Sequence, residues 1–374
     1  MSEVELKRAL PSITDFRNYG LDILKILSMI YVVILHTVGM GGIIQNSSGL
    51  IRLVAIGLFF ISSVAVNNFT IVSGYLSYTD IPKPLNRKRL IELWFQAFFY
   101  GVMITTICFL LFPGNLSTTD FFISGFPLFS DEYWYFTSYF LVSLLSPFIN
   151  SAIRNQSETS LRKTFLVLVF FFSFFLVFSN SKSVVQSYTF IWILLIYIMG
   201  AIMSKAHIAE KISPIALIGI IVICNIINFS WFIWIDRIDV LRSSWDGFMF
   251  SEYFSPTMLI QSMCYLMLFR RIQINGRVKY FIRNISQCVF ATYLINTHHV
   301  FFGQILNGAF VYLTEMNCWT MVSYVLFFSI LFVAVSCILD KGRMLLFRLI
   351  RLDKLILVIA DCVDKIFTLI SKRI

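Results

Sequence analysis

A lysine and a histidine are spaced to act together in the stretch DILKILSMIYVVILH, residues 22–36. Lys25 and His36 stand eleven residues apart. At about 100° per residue, that separation returns to within roughly 20° of the starting direction, so both side chains leave one helical face about 16 Å apart. The residues between them are apolar or weakly polar, which puts the histidine inside a stretch that reads as membrane-spanning. Ionisable groups are costly in that setting and are functional candidates by default. An imidazole can take a proton from a hydroxyl, and a cation at the helix mouth can hold phosphate. The competing structural readings are a histidine hydrogen-bonded to a neighbouring helix and a lysine that snorkels beside Asp22.

Three further clusters have the residue types for chemistry. Arg87, Lys88 and Arg89 open a later apolar run on the same side as Lys25 and suit a polyanion, although such clusters usually signal topology. FTIVSGYLSY (69–78) places Ser73 and Gly74 where two helices can approach closely. YLINTHH (293–299) gathers Asn296, His298 and His299. Two histidines suggest a metal, but adjacent helical positions diverge by about 100° and do not easily share one ion, so no metal site is expected.

Composition sets the surroundings of these residues. The chain is 58% hydrophobic and 13% charged, with a mean hydropathy of +0.81, more apolar surface than a water-soluble protein of 374 residues can bury. Its solvent is lipid. The net charge of +10 is therefore not read as a nucleic-acid signal. Seven scattered cysteines without a CxxC pair read as apolar packing residues. The first twenty residues are polar and contain Pro11, so no cleavable signal peptide is expected ahead of the first span.

Apolar runs of spanning length fall near 23–44, 50–76, 90–112, 134–153, 164–178, 188–203, 214–235, 254–269, 285–302 and 320–339. With both termini placed in the cytoplasm, 25 of the 30 lysines and arginines fall on cytoplasmic segments, as the positive-inside rule requires. The expectation is an all-α integral membrane protein with about ten transmembrane helices. Residues 1–341 form the membrane domain, and 342–374 a basic amphipathic helix at the cytoplasmic interface. The connection 113–133 lacks Lys and Arg, while 236–253 mixes aromatic rings, carboxylates and arginine, a composition suited to sugar hydroxyls or to an ordinary polar loop.

Taken together, these stretches resemble membrane acyltransferase family 3, whose members move acyl groups onto hydroxyls of glycans or small molecules. The family's opening segment sets Gly-Leu-Asp ahead of a basic residue and a histidine with ten residues between them. Gly20, Leu21, Asp22, Lys25 and His36 keep that arrangement, with Lys in the arginine position. Residues 69–76 look like its F-x-x-SGY/FL motif, Arg87 to Arg89 like the basic cluster that follows, Trp134 like its W-F/Y segment and 293–295 like the start of its late YLIH motif. The resemblance implies an O-acetyltransferase that takes acetyl-CoA from the cytoplasm. His36 would be the general base, and Lys25, Arg87, Lys88 and Arg89 would hold the donor. Ser73, Tyr75, Glu132, Trp134, Asn296 and His298 would bind the acceptor. That acceptor would be a surface polysaccharide, such as capsule, or a lipid-linked glycan, reached from a bacterial cytoplasmic membrane. A transporter or flippase for a lipid-linked glycan is the alternative; it would lack any dependence on an acyl-CoA.

Overall fold

The computed structural model describes residues 17–112, 114, 116–130, 132–179, 186–238 and 246–371. Among these every regular element is a helix, and there is no strand. The main helices are α1 (Tyr19–Val38), α2 (Gly49–Ser62), α3 (Ala65–Ser77), α4 (Arg87–Leu111), α5 (Thr118–Gly125), α6 (Trp134–Arg154) and α7 (Glu158–Val169). They continue with α8 (Phe190–Lys205), α9 (Pro214–Arg237), α10 (Pro256–Arg270), α11 (Val278–Cys288), α12 (Phe290–Asn296), α13 (Cys318–Leu349) and α14 (Leu352–Ser371).

Six helical segments, Tyr19–Asn46, Gly49–Ser77, Arg87–Leu111, Trp134–Arg154, Pro214–Arg237 and Cys318–Leu349, are long and apolar enough to cross a membrane. The protein is thus a multi-pass membrane protein. The other four expected crossings fall on shorter or interrupted helices. The run at 164–178 covers α7 and its π-helical continuation Phe170–Phe175, and the run at 285–302 is split among α11, α12 and a π-turn at Phe301–Leu306. α8 and α10 have 16 and 15 residues, about 22 to 24 Å of helix against a hydrocarbon layer of about 30 Å.

α1 is the central post, packed against α2, α3, α10, α11, α12 and α13. Asn18 starts it: its side chain accepts the Leu21 N–H at 3.1 Å and donates to the Arg270 carbonyl at 2.8 Å, which caps α1 and ties it to the end of α10. The helix stops at Val38, short of the expected 44, because Gly39, Gly41 and Gly42 follow and Gly42 adopts φ +90°. His36 consequently lies in the last turn of α1, not deep within a longer helix.

α3 and α8 cross at backbone contact. A Cβ on Gly74 would stand 2.0 Å from the Tyr197 carbonyl oxygen, and one on Gly200 would stand 2.3 Å from that of Ile71. This reciprocal glycine contact explains SGYL as a packing element that fixes α3 against α8.

The boundary expected between 341 and 342 falls inside a helix. α13 runs through Gly342 to Leu349, and the chain turns at Arg351, whose φ is +55°. In α14, Leu352, Ile356 and Ala360 are buried in a four-residue stripe, and the helix packs on α4. The tail therefore docks through one apolar stripe onto the membrane domain.

Candidate active site

His36 is half-buried at one end of α1, and its Nδ1 bonds to the Oδ1 of fully buried Asn296, the last residue of α12. With Nδ1 donating to that oxygen, Nε2 keeps its lone pair and can accept a proton. The Phe302 ring stands edge-on to the imidazole with centroids 5.0 Å apart. Beside His36 is a narrow cavity of about 50 Å³, room for a few water-sized groups. Met29 and Val32 line it on the α1 side, Phe69 on α3, and Trp134, Tyr253 and Thr297 elsewhere on its wall.

Met29, Val32 and His36 lie on the α1 face that also carries Lys25, so the cavity extends from His36 to within one turn of the lysine. At that end Lys25 Nζ is 3.8 Å from Asp22 Oδ1, and Asp22, itself buried, also accepts from Arg17 Nε at 2.5 Å and Ser286 Oγ at 2.9 Å. Arg89 lies close enough for its charge to act on Lys25. Lys88 and Arg89 face solvent and reach Glu92 at 3.8 and 4.0 Å, pairs too exposed to neutralise them. Arg87 opens α4 beside them. Three cations thus occupy the first turn of a helix whose dipole is already positive there, a setting that favours an anion.

The structure separates other expected site residues. Trp134 is at the cavity. Ser73 and Tyr75 are not among its lining residues: Ser73 Oγ bonds back to the Phe69 carbonyl at 2.8 Å, and Tyr75 lies under the Arg270 guanidinium, 5.5 Å from the ring centre. Asn296 holds His36. His298 is fully buried; its Nδ1 accepts the Val300 N–H at 3.3 Å, and its Nε2 lies 3.2 Å from the Gly101 carbonyl and 3.1 Å from Thr105 Oγ1. It fastens the end of α12 to α4.

Glu132 belongs to a second cluster, next to the cavity. The helical divergence expected of His298 and His299 does not apply, because α12 ends at Asn296 and the two rings stack at 24° with centroids 4.7 Å apart. Glu132, His298 and His299 bring ligand atoms within 4.8 Å of one another, a spacing a metal ion could use. Every imidazole nitrogen there nonetheless has a protein partner. Buried Glu132 accepts the His299 N–H at 3.1 Å and lies 2.6 Å from Nδ1, while His299 Nε2 is 3.1 Å from Asp120 Oδ1 on α5. The set reads as an imidazolium clamped between two carboxylates, drawing α5 onto the end of α12.

His299→Gln cannot keep both carboxylate contacts, the one to Glu132 at 2.6 Å and the one to Asp120 at 3.1 Å, so the melting temperature of the detergent-solubilised protein is expected to fall in that variant. An unchanged melting temperature would remove the clamp.

Sequence reasoning missed Tyr188, Tyr253, Asp120 and the latch role of His299. Only the tyrosines at the edges of apolar runs offered a signal, and that is shared with ordinary interfacial belts.

The family model described as an acyltransferase domain, that of acyltransferase family 3, matches residues 18–341. No curated protein and no solved structure matches the chain.

Proposed function

The chain belongs to acyltransferase family 3, and from that premise we propose that it moves an acetyl group from cytoplasmic acetyl-CoA to a hydroxyl of a cell-surface polysaccharide or lipid-linked glycan. His36 is the general base. As the acceptor oxygen attacks the thioester carbonyl, His36 Nε2 takes its proton; the new C–O bond forms, the C–S bond breaks, and the departing thiolate receives the proton. Asn296 keeps Nδ1 protonated so that Nε2 remains the accepting atom.

The observation that carries this reading is the single α1 face on which the cavity runs from His36 through Val32 to Met29, with Lys25 one turn beyond. A donor anchored by its phosphates at Lys25 and the Arg87 to Arg89 cluster would lay its thioester along that face. The narrow cavity, about 50 Å³, suits a two-carbon acyl group better than a long chain. The asymmetry of lysine and arginine supports ten crossings with both termini in the cytoplasm, which would put Lys25 on the acetyl-CoA side of a bacterial cytoplasmic membrane.

The test is ester-linked acetate released by mild base from surface polysaccharide of cells with and without the protein. Acetate that depends on the protein is the expected result; equal acetate in both would remove surface O-acetylation. On the donor side, Lys25→Ala is expected to raise the apparent KM for acetyl-CoA roughly three- to tenfold, the worth of one charge-assisted contact at a half-open mouth. Lys25→Arg should be tolerated. An unchanged KM in the alanine variant would take Lys25 out of the donor site.

A further inference from the structure

The cavity mouth opposite Lys25 is walled by three aromatic rings in mutual contact. Trp134 stacks on Tyr253 at 16° with centroids 6.1 Å apart, and Tyr188 stands 5.1 Å from each of them. Their frame is rigid and draws on several elements. The Tyr253 N–H donates to buried Ser187 Oγ at 2.7 Å, and Ser187 in turn donates to Glu252 at 2.5 Å. The Tyr253 carbonyl accepts from buried Asn67 Nδ2 at 2.7 Å, and Asn67 Oδ1 accepts the Trp192 indole N–H at 3.1 Å. Against this fixed backing Tyr188 is 63% exposed, a large ring presented at the opening of the cavity that holds His36.

An interfacial aromatic belt does not account for this arrangement. Belt residues sit at headgroup depth and gain from lipid contact, whereas these rings touch one another and line one cavity, with the Tyr253 backbone fixed by buried hydrogen bonds. Planar rings at a mouth suit a ligand with an apolar face and polar edges. A pyranose has that shape: its axial C–H groups pack on a ring while its hydroxyls project sideways, one of them toward the base.

We infer that Tyr188, backed by the Trp134–Tyr253 pair, is the acceptor-selecting element and holds a pyranose ring by its C–H face. This rests on the acetyl-transfer reading and adds the residues that choose the acceptor. Glu252 beside the platform supplies an acceptor for a sugar hydroxyl at its rim.

The experiment uses the full-length protein in membranes, with acetyl-CoA as donor and, as acceptor, base-de-esterified surface polysaccharide from the cells that produce the protein. Tyr188→Ala is expected to raise the KM for the polysaccharide roughly tenfold, the scale of one aromatic contact with its buried area, and to leave the KM for acetyl-CoA unchanged. Tyr188→Phe should match wild type, and Tyr188→Leu, with apolar bulk but no ring, should behave like the alanine variant. An unchanged polysaccharide KM in Tyr188→Ala, or full rescue by leucine, overturns the inference. Binding of the same polysaccharide to purified wild-type and variant proteins separates the two readings. If wild type transfers no acetyl yet binds polysaccharide through Tyr188, the acetyl-transfer reading falls and the platform stands; if binding is indifferent to Tyr188, the platform falls.

Discussion

Replacing His36 with alanine is expected to lower acetyl transfer by about 10² to 10⁴-fold, the range over which a positioned general base contributes, while the protein still inserts and folds. The reason is geometric. Nδ1 is committed to Asn296, so Nε2 is the one imidazole nitrogen able to take the hydroxyl proton, and His36 is the imidazole that lines the cavity. Removing it also deletes the ring that packs edge-on to Phe302, a modest packing loss in a half-buried position. Asn296→Ala should cost less, because the base survives and only its tautomer and direction are released. The measurement is transfer of labelled acetyl from acetyl-CoA to de-esterified polysaccharide by membranes with matched protein levels. Wild-type rates in His36→Ala membranes would dismiss His36 as the base, whatever the fate of the other residues.

The second large effect concerns folding. Gly74→Val puts a branched side chain where even a Cβ would lie 2.0 Å from the Tyr197 carbonyl oxygen, and the obstacle is backbone, which cannot rotate away. Separating α3 from α8 would displace Phe69, a wall of the cavity, along with the core around Ile71 and Ile196. The expected cost exceeds about 4 kcal/mol, in the class of severe overpacking, and should appear as aggregated or degraded protein after detergent extraction. Gly57→Ala is the control, since nothing lies within 4 Å of the Cβ that it would add, and should melt as wild type does. A Gly74→Val protein that is monodisperse with a normal melting temperature would refute the crossing.

The family motifs divide between these two kinds of role, and the division was only partly legible in the chain. FTIVSGYLSY was readable as a place of close approach, since glycine inside an apolar helix has few other uses, and the structure assigns Gly74 to that. The expected acceptor roles of Ser73 and Tyr75 had no such support: Ser73 bonds to its own helix, and Tyr75 carries Arg270 on its ring. The absence of metal was argued from a helical divergence that needs an unbroken helix through His299, and α12 ends at Asn296.

The sequence by itself determined what depends on local period and on solvent. Hydropathy dictated a helical membrane protein, because a backbone in lipid must satisfy its own hydrogen bonds. The eleven-residue spacing put Lys25 and His36 on one face, because the turn of an α-helix is fixed. Tertiary structure alone decided what meets that face. Asn296 is 260 residues from His36, and Glu132 is 167 from His299; Tyr188 and Tyr253 reach Trp134 from two other connections. No periodicity encodes such meetings. They follow from which helices pack around α1 and from where glycines and helix ends let the chain turn, and these are properties of the assembled core.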